Sequence, residues 1–219
     1  MRAKVTYYLD ITSSWCYWVE PAWLQLRSEY KAEVEFQWKI ALMDASGLPV
    51  SRNQLEWFYR RSGTITRSHF MLNSGWYDPN LKEYLAPNCM AEAARTMGIT
   101  DDSIRLSLAT AALRHGERIG DWQTSARIAA RASGLEEKDL LEKARSSEIE
   151  NIVRESTREY HDFKMKQRPA FLIENDIGDR VVFSGVVANS ALAAAIEALL
   201  DDSASYASYL AHFGAIPAS

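Results

Sequence analysis

Hydrophobic and polar positions along this chain follow two different periods, which alternate in blocks. Lys4 to Leu9 is a short β-branched and aromatic run and predicts a strand. Trp15 to Tyr30 predicts a helix: Val19, Trp23, Leu24 and Leu26 recur near the 3.6-residue period, and Pro21 is tolerated only if the first turns adjust around it. Glu33 to Leu42 alternates, with Val34, Phe36, Trp38 and Ile40 pointing one way and Glu33, Glu35, Gln37 and Lys39 the other. That two-residue period predicts a half-buried strand.

From Ser46 the pattern becomes helical for more than a hundred residues, after a loop marked by Gly47 and Pro49. Helices are predicted over Cys89 to Met97, Asp101 to His115, Asp121 to Ser133, Glu136 to Ser146 and Ile149 to Phe163. Several begin at Asp or Thr and end just before Gly98, Gly116 or Gly134, which is cap chemistry. Strand character returns in Pro169 to Glu174 and Val181 to Ser184, joined by the turn residues Asn175 to Asp179 as in a hairpin. Asn189 opens a last amphipathic helix through Leu192, Ala195, Ile196, Leu199 and Leu200, and the Ser- and Ala-rich tail after Asp201 is weakly specified.

The order β-α-β, helical insert, α-β-β-α predicts an α/β fold. Two strands joined through a helix need a right-handed crossover within one sheet, while the later pair is antiparallel. The result is a mixed sheet with helices on both faces.

Composition narrows the class. The 219 residues are 47% hydrophobic and 25% charged with a formal net charge of −4, so the chain can bury a real core and has no electrostatic footprint for nucleic acid. No charged n-region leads into an apolar h-region, and no apolar run reaches the roughly 18 residues of a membrane span. With only two cysteines, Cys16 and Cys89, these features predict a reducing, cytoplasmic setting without structural disulfides.

The chemistry concentrates where the first strand meets the first helix, at Ser13-Ser14-Trp15-Cys16. A helix N-terminus has unsatisfied N–H groups and a positive dipole end, so it stabilises an anion such as a thiolate. Ser13 is placed as the N-cap or its neighbour, with a hydroxyl able to donate to an incoming thiolate, and Cys16 lies one turn inside the helix. The plainer alternatives are a serine that only caps and a cysteine that only packs.

The strand, turn and helix around this motif resemble the active-site region of the DsbA family of the thioredoxin superfamily, whose pattern reads Asp-x-x-Cys-Pro-Trp-Cys-Tyr-(Leu/Trp). Asp10, Trp15, Cys16, Tyr17 and Trp18 stand at matching positions, while Ser13 replaces the first Cys and Ser14 the Pro. Gln167 to Ile173 resembles the segment in which a cis-proline, here Pro169, opens the strand facing the active site, preceded by Arg168. Ala111 to Ala130 looks like the insert helices of that family. The resemblance implies a thioredoxin-like domain from residues 1–45 and 165–219, with an inserted helical domain from 46–164. It further implies that the backbone of Arg168 pairs with a bound peptide or thiol, with Ser14 and Trp15 joining the thiol-binding set. A branch with Ser at the first position includes the kappa-class glutathione transferases and 2-hydroxychromene-2-carboxylate isomerase. In that branch Ser13 would hydrogen-bond the sulfur of glutathione. Those enzymes carry a Ser-Asp pair after the last strand's Gly, where this chain has Val186-Val187 behind Gly185.

Three functions are open on these residues. The leading one is a thiol-linked oxidoreductase or isomerase that uses Cys16 or a bound thiol such as glutathione; two-sulfur exchange is excluded because the motif supplies one sulfur. The second is a glutathione-dependent isomerase or transferase centred on Ser13. The third is a non-catalytic module that takes an extended peptide by β-augmentation. A homodimer is left open, and a nucleic-acid or membrane partner is not expected. His69, His115, His161 and His212 are dispersed, so no metal site is predicted. Arg52, Arg60, Arg61 and Arg67 read as a solvated face, or as an anion receptor if the insert folds over Ser13. Trp57, Phe58, Tyr59, Trp76 and Tyr77 read as core, or as the lining of a pocket. Cys89, at a helix start after Pro87-Asn88, reads as a packing residue, with a reactive thiol as the alternative.

Overall fold

The computed structural model describes residues 3–186 and 188–215. Two compact units are present: Met1–Tyr8 with Val19–Lys39 and Met165–Ser219, and Leu9–Trp18 with Ile40–Lys164. The turn that carries Ser13 to Cys16 therefore belongs with the helical unit.

The first unit is built on a mixed four-stranded sheet in the order β2-β1-β3-β4, from β1 (Ala3–Leu9), β2 (Val34–Ile40), β3 (Ala170–Asn175) and β4 (Arg180–Ser184). Strands β1 and β3 are antiparallel, with Val5 opposite Ile173 and Tyr7 opposite Phe171. Both are buried along most of their length, as central strands covered on two faces must be. β4 pairs antiparallel with β3 through the expected hairpin, in which Asn175 Oδ1 accepts from the N–H groups of Ile177 and Asp179. Helix α1 (Ser14–Glu29) sends Trp23 onto the sheet, its ring 5.1 Å from Tyr7 and 5.5 Å from Phe36, while Tyr7 stacks on Phe171 at 5.0 Å. Fully burying aromatic rings of this size contributes on the order of 3 kcal/mol each, the main adhesive of this layer. The Tyr30 hydroxyl donates to Glu197 on α8 (Asn189–Phe213).

The second unit holds α2 (Arg52–Ile65), α3 (Leu85–Thr96), α4 (Ser103–Leu113), α5 (Trp122–Ser133), α6 (Glu137–Ala144) and α7 (Ser147–Asp162). Helix α3 is its centre and touches α4, α5, α6 and α7. Its Ala91, Ala93 and Ala94 are buried, and such small side chains let the surrounding helices approach closely. The caps follow the sequence: Asp121 accepts from the Thr124 N–H, Ser146 accepts from the Ile149 N–H, and Gly134 takes the left-handed C-cap position. The Ser156 hydroxyl donates to the Ile40 carbonyl at 2.6 Å, which ties α7 to the chain leaving β2.

Two elements differ from the sequence reading. The basic stretch from Arg52 is helix α2, started by Ser51, whose hydroxyl accepts from the Gln54 N–H. Its buried positions include Ser62 and Gly63, so the apolar stripe is faint in the sequence. The weakly specified tail after Asp201 continues α8 to Phe213, where Ala204, Ala207 and Ala211 supply helix propensity without a buried face.

Candidate active site

The turn between β1 and α1 is held by one buried carboxylate. Asp10 is 1% exposed; its Oδ1 accepts from the Thr12 N–H (2.8 Å) and hydroxyl (2.7 Å), and its Oδ2 from the Met43 N–H (2.9 Å) and Asn88 Nδ2 (3.1 Å). A carboxylate so satisfied is a structural bracket, since each acceptor site is filled by a donor of the fold. Asn88, also fully buried, completes the bracket: its Oδ1 accepts from the Ile11 N–H and its Nδ2 donates to the Tyr84 carbonyl. Sequence reasoning missed Asn88. An Asn near a helix start reads as a local cap, and nothing local shows that it reaches a turn 77 residues upstream.

This bracket sets Ser13 as the N-cap of α1. The Ser13 N–H donates to the Asp10 carbonyl, the Ser13 carbonyl accepts the first helical bond from Tyr17, and Ser13 Oγ accepts from the Cys16 N–H at 3.3 Å. Ser13 is 6% exposed, and its own O–H finds no acceptor among the described residues. One hydroxyl hydrogen is therefore unassigned at the positive end of a sixteen-residue helix.

Cys16 is in no disulfide and is 3% exposed, within the first turn of α1. Cys89, likewise in no disulfide, is buried in α3; burial, reinforced by the nearby Glu150 carboxylate, pushes its thiol up to about 12. Ser14, Trp15, Tyr17 and Trp18 are half-buried. Trp18 donates its indole N–H to the Ser62 hydroxyl and packs on Phe70, so α2 and the loop after it brace the start of α1. The guanidinium of Arg61 lies 5.9 Å from the Trp15 ring and 5.3 Å from those of Trp57 and Phe58.

The aromatic group read as core or pocket divides. Tyr59, Trp76 and Tyr77 are core: the Trp76 indole donates to the Tyr59 hydroxyl at 2.7 Å, and the Tyr77 hydroxyl donates to the Pro49 carbonyl. Trp57 is 52% exposed.

Arg168 and Pro169 lie in the sheet unit at the entry to β3, and the peptide bond between them is cis. The Pro169 carbonyl accepts from the Gly185 N–H at 2.8 Å, and the Ser184 hydroxyl oxygen accepts from the N–H groups of Lys166 and Gln167. This loop is therefore pinned to the end of β4. Gly185 adopts φ +111°, which an L side chain rarely takes. Val186 is exposed, and Val187 lies outside the described residues.

Among the described residues, no group of three or more His, Cys, Asp or Glu side chains could hold a metal ion, and no helix is long and apolar enough to cross a membrane.

A family model for the DSBA-like thioredoxin domain matches residues 4–197. Among solved structures, a Nitrosomonas europaea protein assigned, without being established, as a protein disulfide isomerase is 17% identical. The match covers 92% of this chain and 97% of that one, with a TM-score of 0.73. A Streptomyces coelicolor protein assigned to the DsbA oxidoreductases is 15% identical, covering 91% and 90%, with a TM-score of 0.71. The cytosolic disulfide reductase DsbM of Pseudomonas aeruginosa, with GSH, is 15% identical, covering 83% and 89%, with a TM-score of 0.64. At such identities these structures are evidence of the fold alone. No protein of curated function matches the sequence.

Proposed function

The chain belongs to the DSBA-like thioredoxin domain family, and from that premise we propose that it performs thiol-linked chemistry with a sulfur brought in by its ligand, glutathione being the inferred thiol. One observation carries the reading: the Ser13 hydroxyl accepts from the Cys16 N–H while its own proton has no acceptor among the described residues. A thiolate arriving at the start of α1 meets that O–H and the positive end of the helix together. Both stabilise the anion over the thiol, which lowers the ligand's pKa and raises its nucleophilic fraction at neutral pH.

The alternative source of sulfur is Cys16. No second cysteine stands beside it in the motif to resolve a mixed disulfide. The reaction that follows is an exchange. The ligand thiolate attacks one sulfur of a disulfide substrate, a new S–S bond forms between them, and the other substrate sulfur leaves as thiolate. Ser13 gives up its hydrogen bond as the ligand sulfur loses its charge. A DsbA-type structural relative described with GSH supports the choice of thiol.

Isothermal titration with reduced glutathione tests the reading. Saturable binding is expected, weakened by Ser13→Ala and little changed by Cys16→Ala. No heat and no thermal shift at millimolar glutathione, or binding that is lost in Cys16→Ala and kept in Ser13→Ala, would overturn it.

A further inference from the structure

Beyond the Ser13 turn, the helical unit carries a second arrangement with the makings of a ligand site. An open cavity of about 490 Å³ lies between α2 and the loop that follows it, and Arg60 and Arg114 both line it. Neither guanidinium has a carboxylate partner among the described residues. Arg114 is nonetheless held in place, its Cζ 3.5 Å from the centre of the Phe70 ring. This is an unusual concentration of positive charge in an acidic chain: from Val50 to Ser74, Arg52, Arg60, Arg61 and Arg67 stand against Glu56 alone.

The remaining walls are built in advance. Asn73 donates its N–H to the Leu113 carbonyl and accepts from the Gly75 N–H, which fixes the floor. Gly116, at φ +71°, leaves room for the Asn73 side chain, where a Cβ would collide with it. Glu56 is engaged by the Ser74 hydroxyl at 2.9 Å. Tyr59, 1% exposed, accepts from Trp76, and its own O–H has no acceptor among the described residues. Met71 and Leu72 complete an apolar side.

We propose that this cavity binds a small organic monoanion, a carboxylate with an apolar body, through Arg60 and Arg114. The two guanidiniums and Glu56 leave one positive charge, which a single carboxylate neutralises. Counting the lining residues alone, a phosphate dianion would leave one excess negative charge beside Glu56. Guanidinium forks match carboxylate geometry, and Met71 and Leu72 receive the hydrocarbon part. The proposal does not rest on the thiol reading, and Phe70 is the ring that touches both Arg114 and Trp18. The helical period places Glu56, Tyr59, Arg60 and Gly63 on one face of α2, and Trp57 with Arg61, which packs toward Trp15, on another.

The test is titration of the full chain with benzoate, with benzamide and inorganic phosphate in parallel, followed by calorimetry and amide chemical shifts. Millimolar benzoate binding is expected, with shifts at residues 56–74 and 113–116, no benzamide binding, and affinity reduced about tenfold by either Arg60→Gln or Arg114→Gln. Ser13→Ala should leave benzoate binding unchanged, which separates this site from the thiol site. Equal binding of benzamide, tighter binding of phosphate, unchanged affinity in both arginine variants or no uptake of benzoate would each overturn the proposal.

Discussion

Asn88 Nδ2 donates to Asp10 Oδ2 across 3.1 Å, and the two residues are 78 positions apart in the chain. The first helical turn of α3 thus clamps the turn that ends β1, and Ser13 is an N-cap because that clamp shapes the backbone before it. Both groups are buried, so a loss on either side leaves a polar atom with neither protein nor water to satisfy it.

Asn88→Ala strands the Ile11 N–H and one acceptor position of Asp10. The expected cost is about 1–3 kcal/mol, or a fall in Tm of several degrees for a chain of this size. Thermal denaturation followed by circular dichroism reads the loss, and an unchanged Tm would refute the clamp.

Ser13→Cys restores a second sulfur to the motif at the N-cap of α1, where a thiolate is favoured. The variant is expected to reduce insulin in the presence of dithiothreitol faster than the natural chain does. If it is no faster while folded, Cys16 is too enclosed to resolve a mixed disulfide, which fits its 3% exposure in the natural chain.

Alkaline pH should destabilise the fold through groups that burial keeps protonated. The Cys89 thiol is raised from 9.0 to about 12, with burial the main cause, and the Tyr84 phenol from 10.0 to about 12, again chiefly by burial. Above pH 9 the unfolded state loses these protons while the folded state keeps them, so stability falls as pH rises from 9 toward 12. Urea midpoints measured from pH 8 to 11 should decline, and Cys89→Ala should make the decline shallower. A flat profile would contradict the burial of both groups.

Gly116→Ala should destabilise the helical unit by about 1–3 kcal/mol, because it needs φ +71° and its new methyl meets Asn73. Chemical denaturation gives the value directly. A neutral effect would show that the loop from Asn73 to Gly75 can move away.

Removing the chain after Ser203 deletes the last turns of α8, in which Tyr206, Tyr209 and Phe213 are exposed and no residue is buried. The last anchor, the hydrogen bond from the Ser203 hydroxyl to Asp176, is kept. Stability should change by less than about 1 kcal/mol, and amide exchange in the deleted turns of the full chain should be fast.

Much of this fold was legible along the chain. The alternation in β2, the hairpin residues Asn175 to Asp179 and the caps at Asp121 and Gly134 each specify a local conformation through their own chemistry. Adjacent residues suffice to set a period or fill a cap, so these elements needed no distant partner. Helix α2 was hidden because it buries Ser62 and Gly63 where a stripe of large apolar residues would announce it.

The order of residues along the chain specifies the family, the mixed sheet with its helical insert, and Ser13 in place of a first cysteine before α1. Tertiary structure alone decided that Asp10 and Asn88 hold that turn, that Cys16 is enclosed, that Tyr59, Trp76 and Tyr77 are core, and that Arg60 and Arg114 share a cavity. Burial and pairing depend on which distant segments come together. The chemistry of a residue sets what it can do; the partners that folding brings to it set what it does.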